Sequence, residues 1–247
     1  MDGFKDKTFL ITGASSGIGL ALAVRLAAAG ATVVGLARDE ARLKAALAEL
    51  PGSGHKAIAA DAADEDVVKI LITAGREAGG FDGALLAAGS HAIVPLALSG
   101  IEQFDAMYRS NVLSAANGIR AMAKAANKTG AGIVLLSSVS AGRGSPGFAA
   151  YSAAKAALQG LAKSAAAELA PRRIRVNTIV AGVIDTPLSQ KWMAQVSEAQ
   201  RAEIAQHHLL GLGTPDAVAD AAMFLISDRA AWITGAELAV DGGLSVR

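Results

Sequence analysis

Short apolar, β-favouring runs alternate with longer stretches of helical periodicity along the whole chain. Residues 8–11 are the first such run. It stops at a glycine-rich stretch, residues 12–19, after which Leu20, Leu22, Val24 and Leu26 predict a helix closed by Gly30. The same reading predicts strands over 31–36, 56–60, 83–88, 132–137, 173–180 and 237–240. Helices are predicted over 39–50, 64–79, 102–127, 150–169 and 215–226, and residues 185–213 read as polar and irregular. The strand runs are solidly apolar rather than alternating, so both sheet faces must be covered. Strands interleaved with helices then predict an α/β fold, a doubly wound parallel sheet of about seven strands with helices on both faces. No linker, repeat or low-complexity tract divides the chain, so residues 1–247 read as a single domain.

Composition narrows the classes of function. Hydrophobic residues make up 52% and charged residues 18%, and 23 basic against 22 acidic residues leave a net charge of +1. No basic block stands out, so neither nucleic acid nor a membrane surface is an expected partner. The charge-free run 83–101 contains Pro95, His91, two serines and several glycines, and reads as strand plus loop rather than a membrane span. With no cysteine, disulfide and thiolate chemistry are excluded. The mixed-charge start, residues 1–7, has no apolar core, which predicts no secretory leader and a cytoplasmic protein.

Two stretches carry candidate chemistry. Residues 12–19 leave the first strand and enter the first helix. Glycines there allow a tight turn and close approach of a diphosphate to the helix N-terminus, where free N–H groups and the helix dipole favour an anion. The second is Tyr151-Ser152-Ala153-Ala154-Lys155, near the start of a predicted helix. Residues four apart share a helix face, which puts a cation beside a phenol. A phenol of reference pKa about 10 gains about 1.4 kcal/mol toward phenolate for each unit of lowering, and a phenol so tuned can move a proton near neutral pH. Taken alone, such a pair is more often a surface lysine beside a half-buried aromatic, and only the rest of the chain can overturn that reading.

Thr12-Gly13-x-x-x-Gly17-Ile18-Gly19, Asp61, Asn111, Ser138, Tyr151-x-x-x-Lys155, Gly182 with Thr186-Pro187, and the tail Ile233-Thr234-Gly235…Val240-Asp241-Gly242-Gly243 occur in this order. Together they make the sequence resemble the short-chain dehydrogenase/reductase family over essentially its whole length, closest in look to 3-oxoacyl-carrier-protein reductases. The resemblance implies a Rossmann-type fold. It also implies that Ser138 holds the substrate oxygen, that Tyr151 moves a proton, and that Lys155 lowers the tyrosine's pKa and bonds the nicotinamide ribose. Asn111 would hold a water in the proton relay; a solvent-facing asparagine is the alternative. The cofactor would lie against Gly13, Ser15, Ser16, Ile18, Gly19, Arg38, Asp61, Ala62, Ala88, Gly89, Tyr151, Lys155, Gly182, Ile184 and Thr186. His91, Ser140 and Trp192 would border the substrate, although His91 reads equally as a loop residue. No metal site is expected; His207-His208 has no spaced partners and reads as surface.

Cofactor choice turns on the end of the second strand. The ribose-binding carboxylate of NAD-specific relatives would fall at Ala37, and Arg38 follows with a guanidinium suited to a phosphate. NADP(H) is therefore expected over NAD(H), unless Asp39 supplies the carboxylate. Two positions depart from the family pattern. An expected N-N-A-G reads Leu86-Ala87-Ala88-Gly89, and an expected P-G reads Ala181-Gly182, which puts the local rigidity of the cofactor loop in question. Leu188, Trp192, Met193 and Val196 make residues 185–213 either a lid over an apolar substrate portion or a helical face packed on the core.

The expected function is NADP(H)-dependent interconversion of a ketone, a 3-oxoacyl thioester among the candidates, and a secondary alcohol. A sugar, polyol or other alcohol dehydrogenase using NAD(H) is one alternative. A catalytically silent dinucleotide sensor is another, disfavoured by the complete Ser138–Tyr151–Lys155 set. By resemblance the protein forms a homodimer or homotetramer, and the alanine-rich faces 115–126 and 153–167 are compatible with close helix approach.

Overall fold

The structure, a computed structural model, describes residues 3–246. Met1, Asp2 and Arg247 lie outside the described residues, so the mixed-charge start is described only from Gly3. Seven strands form one sheet: β1 (Thr8–Thr12), β2 (Thr32–Ala37), β3 (Lys56–Ala59), β4 (Gly83–Leu86), β5 (Ala131–Ser138), β6 (Ile174–Ala181) and β7 (Glu237–Val240). All neighbours are parallel, in the order β3-β2-β1-β4-β5-β6-β7. This is the doubly wound sheet the sequence predicts.

The period of two along a strand explains why two cores are needed. In β1 every residue is buried. Leu10 points into a core shared with α3 (Asp66–Glu77), α5 (Ser114–Ala125) and α6 (Ala149–Leu169). Phe9 and Ile11 point into the opposite core, closed by α1 (Gly17–Ala28), α2 (Glu40–Ala48) and α9 (Pro215–Ile226). Beyond β1 the strand order reverses direction toward β4, and such a switch point opens a crevice at the carboxyl ends of the strands.

Two segments differ from expectation. Residues 102–127 are not one regular helix: α4 (Ile101–Met107) runs into a wider π turn, Tyr108–Leu113, before α5 begins. Side chains take over backbone acceptors there, since the Asn111 amide donates to the Met107 carbonyl at 3.0 Å and Ser114 Oγ to the Ser110 carbonyl at 2.7 Å. Residues 185–213 are not irregular either. They hold α7 (Pro187–Met193) and α8 (Glu198–His207), each opened by a reciprocal cap, Thr186 with Ser189 and Ser197 with Gln200. Most of their residues are exposed, so neither helix carries the apolar periodicity that marks a core-facing one. No helix among the described residues is long and apolar enough to cross a membrane.

Candidate active site at the carboxyl ends of the strands

The glycine-rich turn is built on backbone contacts that no side chain could share. Gly13 has φ +73°, and a Cβ on it would come within 3.2 Å of the Ala87–Ala88 peptide; a Cβ on Gly19 would collide with the Gly13 carbonyl oxygen. Gly13 N–H donates to the Leu36 carbonyl at 2.8 Å, which draws the turn toward the end of β2. Ser16 flanks α1 with no side-chain cap, Ser15 beside it is buried, Ile18 is half-buried, and the first turn of the helix holds no acidic residue. The open backbone and uncapped helix end fit a diphosphate. Thr186 packs against this turn, its methyl carbon 3.3 Å from where a Gly17 Cβ would stand.

Ser138, Tyr151, Lys155 and Asn111 meet around one cavity of about 680 Å³. Ser138 ends β5, and its Oγ accepts the Ser140 N–H at 3.2 Å. Tyr151 stands in the first turn of α6, with Lys155 one turn on, its Nζ 5.6 Å from the phenol ring centre. The sequence predicts that the lysine lowers the phenol's pKa; in the chain alone the net direction is upward, and the lysine is not among its causes. Burial pushes the phenol up, and its hydrogen bond with Ser138 works against that. Burial also pushes the Lys155 ammonium down to about 8. Both groups are desolvated, and Lys155 Nζ donates at 2.8 Å to the Leu136 carbonyl.

Asn111 is buried rather than solvent-facing. Its amide donates at 3.0 Å to the Ser90 and Met107 carbonyls, while Oδ1 is buried with no partner. A Cβ on Gly89 would lie 2.5 Å from Oδ1 and 3.7 Å from Lys155 Nζ. The missing side chain at residue 89 thus leaves a gap between an acceptor and a donor, the arrangement that takes a bridging water.

At the far end of the crevice, Arg38 follows β2, exposed and paired with no carboxylate among the described residues. Asp39, the alternative ribose ligand, caps α2 by accepting the Arg42 N–H at 3.0 Å. Asp61 accepts the Ala63 N–H at 2.9 Å. The loop it begins is held by Asn117, whose amide donates at 3.1 Å to the carbonyls of Ala62 and Asp64. Asn117 was not among the sequence candidates, although the argument used for Asn111, an asparagine inside a helix, applies to it equally.

The departures at β4 have local compensations. Leu86 is buried over Gly118, where a Cβ would come within 2.5 Å of a leucine methyl. The Ala88 N–H donates to Thr12 Oγ1 at 3.0 Å, and its carbonyl accepts from Ser114 Oγ at 3.3 Å. Thr12 belongs to the expected glycine-rich stretch, but its hold on Ala88 was not foreseen, and Ser114 was not expected at the site.

The remaining wall comes from the loops after β4 and β6 and from α7 and α8. His91 lines the cavity with its ring edge-on to Tyr151, 6.4 Å between centres, and burial together with Lys191 pushes its pKa down. Phe148, which sequence reasoning passed over, stands edge-on to both Tyr151 at 5.9 Å and Trp192 at 6.1 Å. Leu188, Trp192, Val196 and Ile204 line the cavity, whereas Met193, expected with them, does not. Gly182 and Ile184 also line it, and Ile184 is itself buried. His208, expected at the surface, is 3% exposed. Its Nε2 accepts the Val183 N–H at 3.1 Å and Nδ1 donates to the Ile204 carbonyl at 2.8 Å, so it pins the end of α8 to the loop after β6. No cluster of metal-ligating side chains occurs among the described residues.

Known proteins match this chain over nearly its whole length. A family profile described as enoyl-(acyl carrier protein) reductase matches residues 13–245. Dehydrogenase/reductase SDR family member 4 of Homo sapiens is 34% identical, over 100% of this chain and 90% of its own length. Cyclopentanol dehydrogenase of Comamonas testosteroni is 35% identical, over 96% of each chain. The crystal structure of levodione reductase superposes with a TM-score of 0.89 at 30% identity, covering 98% of this chain and 99% of that one.

Proposed function

The chain belongs to the short-chain dehydrogenase/reductase family, oxidoreductases of alcohol/ketone pairs that use a nicotinamide dinucleotide, and from that premise we propose an NADP(H)-dependent enzyme interconverting a ketone and a secondary alcohol. The observation that carries the reading is the convergence of Ser138, Tyr151 and Lys155 on one cavity that reaches Ile18 of the glycine-rich turn. When bound, the cofactor supplies or accepts the hydride.

The chain's own part is to orient the carbonyl and move a proton. Ser138 Oγ accepts the Ser140 N–H, which orients the hydroxyl, and its hydrogen, shared with Tyr151 in the chain alone, turns to a substrate oxygen in this reading. There it stabilises the negative charge that builds as the carbonyl is reduced. In this reading Tyr151 Oη gives that oxygen its proton, and runs in reverse for alcohol oxidation. Lys155, with its pKa near 8, is poised to resupply the phenol, and the gap between Lys155 Nζ and Asn111 Oδ1 continues the path. Ser140 contributes through its backbone, Trp192 and its neighbours on residues 185–213 act as the lid, and His91 borders the substrate.

The unpaired Arg38 guanidinium, with Asp39 committed to capping α2, supports NADP(H) over NAD(H). An exposed apolar row, Leu96, Leu98, Ile101 and Tyr108, supports self-association as a homodimer or homotetramer. The experiment is steady-state kinetics by nicotinamide absorbance. Tyr151→Phe should lower kcat by about two to four orders of magnitude with cofactor binding retained. Full turnover in that variant would refute the acid/base assignment. Arg38→Ala should remove most of the preference for NADPH, and an unchanged NADPH/NADH ratio would refute the cofactor assignment.

A further inference from the structure

The cavity has a chemical character beyond the reacting groups. His91, Tyr151, Phe148 and Trp192 form a continuous aromatic wall, each ring edge-on to the next at 5.9 to 6.4 Å. Leu188, Val196 and Ile204 carry the apolar lining onward along α7 and α8. The charged groups lining the cavity are Arg143, Lys155 and Glu203. Arg143 donates to the Leu244 carbonyl at 3.0 Å, and Lys155 donates to the Leu136 carbonyl beside the tyrosine it serves. Glu203 is exposed and would repel an anion. Both cations are already engaged with backbone carbonyls, and the one carboxylate of the lining opposes a carboxylate or phosphate of the substrate.

Size adds a second constraint. About 680 Å³ must take the nicotinamide end of the cofactor as well as the substrate. A compact ring laid against an aromatic wall makes its contacts without freezing rotors, whereas a linear acyl chain loses rotor freedom on binding.

His91 supplies the third constraint. It is half-buried against Tyr151, faces the cavity, and makes no hydrogen bond with another described residue. Its lowered pKa keeps the imidazole neutral at pH 7, so it offers one donor and one acceptor. Among the polar side chains that line the cavity, His91 is the one set with its ring against the phenol, its donor and acceptor both unengaged by the described residues.

Resting on the oxidoreductase reading above, we infer that the substrate is an uncharged ring ketone or its alcohol bearing a second oxygen, the ring held by Phe148 and Trp192 and the second oxygen bonded by His91. A linear 3-oxoacyl thioester is the competing occupant; its thioester oxygen offers His91 an acceptor as well, so what separates the two is the fit of a ring against the aromatic wall.

The test uses the full-length enzyme with NADPH and three kinds of carbonyl: cyclohexanone, its 2-, 3- and 4-hydroxy derivatives, and a 3-oxobutanoyl thioester. The inference expects the best hydroxycyclohexanone to exceed both cyclohexanone and the linear thioester in kcat/KM by about tenfold or more. His91→Phe, which keeps the aromatic edge, should cut the hydroxycyclohexanone-to-cyclohexanone ratio about tenfold, and His91→Gln, which keeps a donor and an acceptor, should restore part of it. Faster turnover of the linear thioester would overturn the inference and leave the oxidoreductase reading standing. So would a ratio that His91→Phe does not move. Failure of every carbonyl to oxidise NADPH would overturn both.

Discussion

Lys155 should be expensive to the fold. Its side chain is 6% exposed, its one hydrogen bond is to the Leu136 carbonyl, and no carboxylate pairs with it among the described residues. Burial lowers its pKa from 10.5 to about 8. At about 1.4 kcal/mol per unit, that fall means the charged lysine costs the folded state about 3 kcal/mol relative to the unfolded chain. The sign follows from proton counts. Between about pH 8 and 10.5 the unfolded chain keeps the proton and the folded chain has released it, so stability rises with pH across that window; below pH 8 the whole cost is present. Lys155→Met keeps the length of the side chain and removes the charge. Loss of the bond to Leu136 returns about 1 kcal/mol of destabilisation, leaving the variant about 2 kcal/mol more stable than the parent at pH 7 and about equal to it at pH 10. Urea unfolding followed by circular dichroism, at one protein concentration and without nucleotide, measures both gaps. The other ionisable groups are common to the two proteins and cancel in the difference. A methionine variant less stable than the parent at pH 7, or a gap of the same size at both pH values, would refute the reasoning.

Two further perturbations test the supports of the site. Gly118→Ala puts a carbon 2.5 Å from a Leu86 methyl and should destabilise by about 1–3 kcal/mol. Leu86→Ala in the same chain should relieve about 1 kcal/mol of that, a non-additivity that a double-mutant cycle in urea would detect. His208→Ala removes the acceptor of the Val183 N–H and the donor to Ile204, and should raise the KM for NADPH several-fold while lowering stability by about 2 kcal/mol. His208→Gln should recover part of both. An alanine variant with an unchanged KM would show that the tether does not shape the cofactor loop.

The sheet was legible because its signals are backbone signals. Apolar runs broken by glycines at sharp turns predict strand, turn and helix, and Gly13 and Gly19 stand where only glycine fits. The candidate residues Tyr151, Lys155 and Ser138 could be placed in one cleft from the sequence because the first two are tied to each other by helix spacing and Ser138 sits at a strand end. Groups joined by tertiary contact alone left less trace. His208 looked like surface because its partners, Val183 and Ile204, are backbone atoms that any residue could supply. Phe148 belongs to no motif, and its role comes from where Tyr151 and Trp192 meet it. The caps that begin α7 and α8 could have been read, since Ser197 and Gln200 have the spacing of a capping box. The absence of an apolar stripe outweighed them. The pKa of the phenol could not have been read at all: helix spacing fixes the neighbour, whereas burial, which decides the sign, is set by the whole cavity.

The two departures from the family pattern show how the crevice keeps its shape with different chemistry. Where asparagines would have offered amides at the end of β4, Thr12 and Ser114 hold both backbone polar groups of Ala88, its N–H and its carbonyl. Leu86 adds apolar burial over Gly118 in place of a polar side chain there. At the end of β6, alanine keeps the backbone N–H that proline would lack. The strand stays in register through Ala181 with both Ser138 and Val240, and the ladder passes on to Gly182, whose N–H donates to the Val240 carbonyl at 3.1 Å. The strand that carries Ser138 is therefore braced by a full parallel ladder up to its last residue, next to the loop that His208 holds down. Rigidity that the family pattern assigns to amides and a proline rests in this chain on two hydroxyls, a leucine and a longer ladder. Substitutions at Thr12 or Ser114 thus bear on the cofactor crevice although neither side chain belongs to the reacting set.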